Sequence, residues 1–167
     1  MQCLLKKDIF LCDSGGQYKF GTTDVTRTLC FSKQSQNIKN IYTKVLKGHI
    51  AVATTDLKKN NIGKKIDIRA RKFLKKSNLD YAHGTGHGVG FFLNVHEGPQ
   101  SISKINKVKI KEGMIFTIEP MINLGNYETK TLNDGWTAVT KDKSLSAQFE
   151  HTIGVTKNGC EVFTQIN

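Results

Sequence analysis

No apolar run in this 167-residue chain approaches the roughly 18 to 20 residues that cross a bilayer, which argues against a membrane span. The opening MQCLLKKDIFLC is interrupted by Lys6, Lys7 and Asp8, so it lacks the continuous apolar core of a signal peptide. Cysteine is sparse. Cys3, Cys12, Cys30 and Cys160 show no C-x-x-C spacing and have no neighbouring histidine, so neither a zinc ribbon nor a redox motif is suggested. Buried free thiols in a cytoplasmic protein are the expectation. Linkers, low-complexity tracts and close repeats are missing too, and residues 1–167 are treated as one domain. With 38% apolar residues and a mean hydropathy of -0.37, the composition excludes a disordered chain and fits an ordinary globular fold.

Acidic residues are also few, 14 against 25 lysines and arginines, which leaves a net charge of +11 and a pI near 9.6. Much of the excess is local. Lys58, Lys59, Lys64, Lys65, Arg69, Arg71, Lys72, Lys75 and Lys76 crowd one stretch in which Ile66, Ala70, Phe73 and Leu74 recur at helical spacing. This reads as a surface helix with a solvated basic face. Nucleic-acid binding would need aromatic or glycine-rich recognition residues beside the charge, and Phe73 belongs to the apolar stripe.

The hydrophobic pattern predicts strand runs around two central helices, an α+β fold. Asp8–Asp13 and Thr23–Phe31 read as strands separated by the break Ser14-Gly15-Gly16. Ile38, Ile41, Tyr42, Val45, Leu46 and Ile50 form one stripe of a helix from Ser35 to Leu57, and a second helix runs from Lys64 to Lys76. The glycine-rich stretch from His83 to Gly90 is expected to be a turn leading into a strand that ends near Val95. Met114–Glu119 reads as a buried strand stopped by Pro120. Two hairpins follow, one around Asp134-Gly135 and one around Asn158-Gly159.

Five ionisable residues fall at the ends of these strands rather than on charged faces. Asp13 ends the first strand, Asp24 begins the next, His87 lies in G-H-G, Glu119 follows M-I-F-T-I, and Glu150 lies in Q-F-E-H-T-I. Carboxylates within apolar strands are costly unless paired or bound to metal. Any one of them has a structural explanation; the five together point to metal. Four carboxylates and an imidazole, without thiolate, suit Mn, Co, Fe or Zn in a site for two divalent ions.

DSGGQYKFGTTDVTRT, with aspartates at 13 and 24, and HGTGHGVGFFLNVHEGP resemble the catalytic domain of Xaa-Pro aminopeptidases (aminopeptidase P) over residues 8–100. MIFTIEPMINLGNY and DGWTAVTKDKSLSAQFEHTIGVTKNG resemble instead the C-terminal part of type 1 methionine aminopeptidases, over residues 112–164. Glu119 and Glu150 lie 31 positions apart (150 − 119), the longer interval of the methionine enzymes, so the chain looks like a hybrid within one superfamily. The resemblance implies a pita-bread (creatinase/aminopeptidase-like) fold and a metal-dependent aminopeptidase activity on peptides. It implies that Asp13 and Asp24 hold one metal, that His87 and Glu119 complete the other site, and that Glu150 bridges both. Mn or Co is the expected metal, with Fe or Zn as alternatives. Glu119 is implied as the proton shuttle and His96 as a hydrogen-bond donor to substrate, with His83 a further substrate-side histidine and His151 a packed or surface residue.

In both families a sizeable segment precedes the first aspartate, whereas twelve residues do so here. The expectation is a fold incomplete at its N-terminus, with apolar sheet left uncovered, completed by a homodimer or by a separately encoded N-terminal segment. The alternatives to an aminopeptidase favouring Xaa-Pro over N-terminal Met are an idle metal-binding remnant and a non-enzymatic pita-bread binding module.

Overall fold

The computed structural model describes residues 9–57 and 59–165, so Cys3, Lys58 and Asp8, the first residue of the anticipated opening strand, lie outside the described residues. In chain order come β1 (Ile9–Ser14), β2 (Gln17–Tyr18), β3 (Gly21–Thr22) and β4 (Val25–Cys30), then helices α1 (Gln36–Ala53) and α2 (Gly63–Lys75). Next are β5 (Gly86–Val89), β6 (His96–Ile102), β7 (Ile115–Ile118), β8 (Met121–Asn123) and β9 (Thr129–Thr131). The chain closes with β10 (Ala138–Thr140), β11 (Ser146–Gln148), β12 (His151–Val155) and β13 (Cys160–Val162), an α+β architecture. The short hairpin of β2 and β3 and the pair formed by β8 and β11 were not expected from the hydrophobic pattern.

A five-stranded antiparallel sheet, in the order β13-β12-β7-β5-β6, forms the floor of the molecule. Val52 of α1 and Ile66 and Ala70 of α2 pack with Ile102, Phe116, Ile118, Ile153 and Val155 of the sheet. A second cluster joins Val45, Leu74, Tyr81, Ile122 and Ala147. Each such aliphatic side chain contributes roughly 1.5 to 3 kcal/mol when fully buried. The two helices approach closely at Gly48, where a Cβ would stand 2.6 Å from the Ala70 carbonyl oxygen.

α1 begins at Ser35, whose Oγ accepts a hydrogen bond from the Ile38 amide and so satisfies one of the free N–H groups of the first turn. Its buried face differs by one position from the expected stripe: His49 is buried with Val45, Gly48 and Val52, while Ile50 is 48% exposed. One residue is about 100° of helix rotation, enough to carry a side chain from the core edge to solvent. α2 departs more sharply. Arg71, expected on the basic surface, is buried beside Asp67, and Arg69 bonds the Ala51 carbonyl and the Thr55 hydroxyl.

The order of turn and strand around His87 is also reversed. Gly86–Val89 is an inner strand, whereas Phe91, Phe92 and Leu93 lie in the following loop at 63%, 64% and 71% exposure. A Cβ at Gly86 would fall 2.0 Å from the Thr117 carbonyl oxygen, so glycine here permits close approach of β5 to β7 and does not mark a turn. The thiols differ from expectation as well: Cys12, Cys30 and Cys160 are free, but Cys30 is exposed and the other two are half-buried. No helix among the described residues is long and apolar enough to cross a membrane.

β1 and β4 form a separate antiparallel pair with Asp13 opposite Thr26. Hydroxyl groups and backbone bonds stitch this pair to the rest. Thr28 Oγ1 donates to the Gln148 carbonyl and accepts from its amide, Thr152 Oγ1 donates to the Asp24 carbonyl, and the Glu150 amide donates to the Thr26 carbonyl. The junction brings the acidic ends of both sheets face to face.

Candidate metal centre

Asp13 in β1, Asp24 just before β4, His87 in β5, Glu119 just after β7 and Glu150 just before β12 line one cleft of about 420 Å³, together with His96 at the start of β6. Ligand atoms of Asp24, His87 and Glu150 all lie within 4.8 Å of one another. His87 Nε2 is 3.3 Å from Asp24 Oδ2 and 3.5 Å from Glu119 Oε1. Its Nδ1 stands 2.9 Å from the Gly88 carbonyl oxygen, so Nδ1–H donates there and Nε2 is left facing the carboxylates. The His96 ring centroid is 3.9 Å from that of His87.

The acidic groups are oriented by neutral donors. Thr26 Oγ1, itself fully buried, donates to Glu150 Oε2 at 2.7 Å. Thr117 Oγ1 donates to Glu119 Oε1 at 3.2 Å and Gln148 Nε2 to Oε2 at 3.3 Å. Arg27 braces the backbone by donating to the Glu150 carbonyl at 2.6 Å. Sequence reading missed these four. The alternation V-T-R-T in β4 carried a signal, because it puts Thr26 and Thr28, not a valine, on the buried side.

Charge in the cleft is unbalanced. Burial, with the neighbouring Asp24 and Glu119 charges, pushes the Glu150 carboxyl up to about 8 against the bond from Thr26. Burial pushes Glu119 up to about 7, opposed by His87 and reinforced by Asp24. Asp13 is raised by burial and by Asp24. His87 is raised as well: burial pulls it down, but the bond to Asp24, the bond to the Gly88 carbonyl and the charges of Glu119 and Asp24 together outweigh it. Among the described residues no lysine or arginine forms an ion pair with any of the four carboxylates, so a divalent cation would supply the charge they lack. Oxygen donors with one imidazole and no thiolate fit Mn, Co, Fe or Zn.

His83 stands outside this cleft lining. It is exposed, its Nδ1 is 2.6 Å from the Gly84 carbonyl oxygen, and its ring lies against Tyr81 at 4.9 Å. His151 points away from the cleft, bonded through Nδ1 to the Thr164 hydroxyl and packed near His49.

The family model of metallopeptidase family M24 matches residues 2–157, the span that carries this carboxylate-rich cleft. The chain belongs to metallopeptidase family M24. It is 50% identical over 121 residues to a probable Xaa-Pro aminopeptidase P of Laccaria bicolor, covering 70% of this chain and 19% of that protein. It is 49% identical over 126 residues to Xaa-Pro aminopeptidase 1 of Dictyostelium discoideum, covering 74% and 20%. The chain thus spans about a fifth of the length of the curated relatives it matches. Among solved structures, the methionine aminopeptidase of Rickettsia prowazekii superposes with a TM-score of 0.77 at 34% identity, over 97% of this chain and 66% of that one. The X-prolyl aminopeptidase of Caenorhabditis elegans, described as a cytosolic enzyme with a di-nuclear active site, gives 0.72 at 32% identity, over 94% and 24%. Both kinds of relative named by the sequence motifs are therefore found, and the fold is the pita-bread fold of this family.

Proposed function

We propose that this chain carries the metal-binding and catalytic residues of an aminopeptidase that uses two divalent metal ions and prefers peptides with proline in second place to those beginning with methionine. The observation that carries the reading is the meeting of Asp13, Asp24, His87, Glu119 and Glu150 in one cleft with a deficit of positive charge. Asp13 and Asp24 would hold one ion, His87 and Glu119 the other, and Glu150 both. When bound, two such ions act as Lewis acids toward the first peptide carbonyl and lower the pKa of a water between them.

The protein groups do the rest. Glu119, held by Thr117 and Gln148, accepts the proton of the attacking water and passes it to the leaving nitrogen. His96, against His87 at the cleft wall, donates a hydrogen bond to the carbonyl oxygen as negative charge grows there. His83 contributes on the substrate side if a bound peptide reaches beyond the cleft. Mn or Co is the preferred metal. The prolyl preference rests on the high identity to Xaa-Pro aminopeptidases. A cytoplasmic location fits the unpaired thiols of Cys12, Cys30 and Cys160 and the cytosolic worm relative.

Metal analysis and peptide kinetics test this together. The expected result is about two ions per chain, a lower content in Asp24→Ala and Glu150→Ala, and a higher kcat/KM on Xaa-Pro peptides than on Met-Ala peptides. Less than one ion per wild-type chain would overturn the metal assignment, and faster release of methionine would reverse the substrate ranking.

A further inference from the structure

Arg71 stands in the middle of the lysine-rich run, yet its side chain is 2% exposed. All three guanidinium nitrogens are engaged. Nε donates to Asp67 Oδ2 at 2.7 Å, Nη1 to Asp80 Oδ1 and to the Tyr81 carbonyl at 2.6 Å each, and Nη2 to the His83 carbonyl at 2.6 Å. The Tyr81 ring covers the guanidinium at 3.8 Å. Asp67, 1% exposed, uses its second oxygen to accept from Thr85 Oγ1 at 2.7 Å, and the Tyr81 hydroxyl meets the same Oγ1 at 2.5 Å.

These bonds converge on one short segment, residues 80–85, and that segment leads into β5. The Thr85 carbonyl accepts from the Glu119 amide at 2.7 Å, while its own amide donates to the Ile102 carbonyl at 2.7 Å. Two residues later the His87 amide donates to Thr117 Oγ1, the hydroxyl that in turn donates to Glu119 Oε1. A continuous path thus runs from Arg71 through Asp67 and Thr85 to the backbone of Glu119 and the strand that carries His87. Apolar residues of similar volume would stabilise the fold as well as a buried ion pair does, because the cost of removing both charges from water offsets their attraction. Directional bonds, unlike apolar packing, also define the height of Thr85 relative to β7.

We propose that Arg71, acting through Asp67 and Thr85, is a positioning residue for the metal centre, setting the separation of Glu119 from His87. This inference rests on the metal-binding reading above.

The test is manganese titration by calorimetry, with urea unfolding of the metal-free chain, on wild type, Thr85→Val, Thr85→Ser and Arg71→Lys. Thr85→Val removes only the hydroxyl bonds and leaves the Arg71–Asp67 pair in place. Its manganese affinity is expected to fall by about tenfold, the lower end for supporting contacts around a metal site. Thr85→Ser, which keeps the hydroxyl, restores affinity; Arg71→Lys, which cannot span four acceptors, lowers it in the folded protein. A purely structural network would shift the urea midpoint and leave the affinity of folded Thr85→Val at the wild-type value, and that result overturns the inference. Absence of manganese binding by the wild type would overturn the metal reading along with it.

Discussion

Two polar constellations adjoin β5, and they are built on opposite principles. Around Arg71, two carboxylates face a guanidinium and the Lys104 ammonium, and each oxygen or nitrogen of the network has a partner within the protein. In the cleft, among the described residues, four carboxylates face only the imidazoles of His87 and His96, and burial drives Glu119 and Glu150 up toward their neutral forms. Asp80 shows the contrast from the other side. Burial opposes its ionisation, but hydrogen bonds from Lys104 and Arg71 outweigh it and hold the carboxyl down at about 2. Buried charge that serves the fold is closed by the protein itself, whereas buried charge that serves a ligand is left open to it.

The largest effect should come from opening the closed constellation. Arg71→Met leaves Asp67 buried without its cation and frees the carbonyls of Tyr81 and His83. Removing one partner of such a pair costs about 3 to 5 kcal/mol, a large part of a total stability of about 5 to 15 kcal/mol. The urea midpoint of metal-free protein should fall accordingly, and the double substitution Arg71→Met with Asp67→Leu should recover part of the loss. A midpoint unchanged by Arg71→Met would mean that the network is solvated in solution and that the contrast with the cleft is false.

How much of either constellation could be read from the chain follows from the same contrast. The five cleft residues were legible together, because four carboxylates beside apolar strands and a histidine in G-H-G recur within motifs that resemble a known family, although none of them is conclusive alone. The pairing of Asp13 with Asp24 comes from the resemblance of DSGGQYKFGTTDVTRT to the Xaa-Pro aminopeptidases, not from the hydrophobic pattern. Arg71 was not legible, since lysines surround it in sequence and its partners Asp80, Tyr81 and His83 are supplied by the fold. Gly86 and Gly88 misled for a related reason: a glycine reads as a turn unless the strand pressing on it is known. Thr26 fell between the two cases, visible as a polar residue at a buried register but without a reason until Glu150 appears opposite it.

A second, smaller effect separates the constellations by pH. Glu119 and Glu150 have folded values of about 7 and about 8, above the ordinary value of 4.5, so the folded metal-free chain binds more protons than the unfolded one in this range. That contribution to stability is complete below pH 4.5 and is lost as pH rises through 7 to 8. The lowered histidines, His49, His83 and His151, act in the opposite sense: their unfolded imidazoles are still half-protonated at pH 6.5, so they offset part of the loss in the lower half of this range, while His87, raised in the folded state, adds to it. Asp80 titrates far below this window. Metal-free protein should therefore lose about 2 kcal/mol between roughly pH 6.5 and 8.5. Manganese should reverse the slope, because it binds the deprotonated carboxylates and its gain in Tm grows as protons leave. Flat stability across that interval without metal would show that the cleft carboxylates are not strained by their neighbours.

The smallest effect tests whether the difference belongs to the constellation or merely to the basic helix. Lys72 follows Arg71 directly in α2, but it is exposed, and no hydrogen bond or ion pair of its side chain occurs among the described residues. Replacing it by alanine removes a favourable cation from the last turn, worth about 0.3 to 1 kcal/mol at most, and introduces the best helix former, which offsets much of that. The net change in urea stability should stay within about 0.5 kcal/mol, and manganese affinity should match wild type. Adjacent cations on one helix would then differ several-fold in energetic weight, for the reason that one is enclosed by acceptors and the other by water. A loss above about 1.5 kcal/mol in Lys72→Ala, comparable to breaking a charged hydrogen bond, would contradict this. It would mean that the exposed basic face is engaged by another part of the protein or by a partner, and that solvation is the wrong account of it.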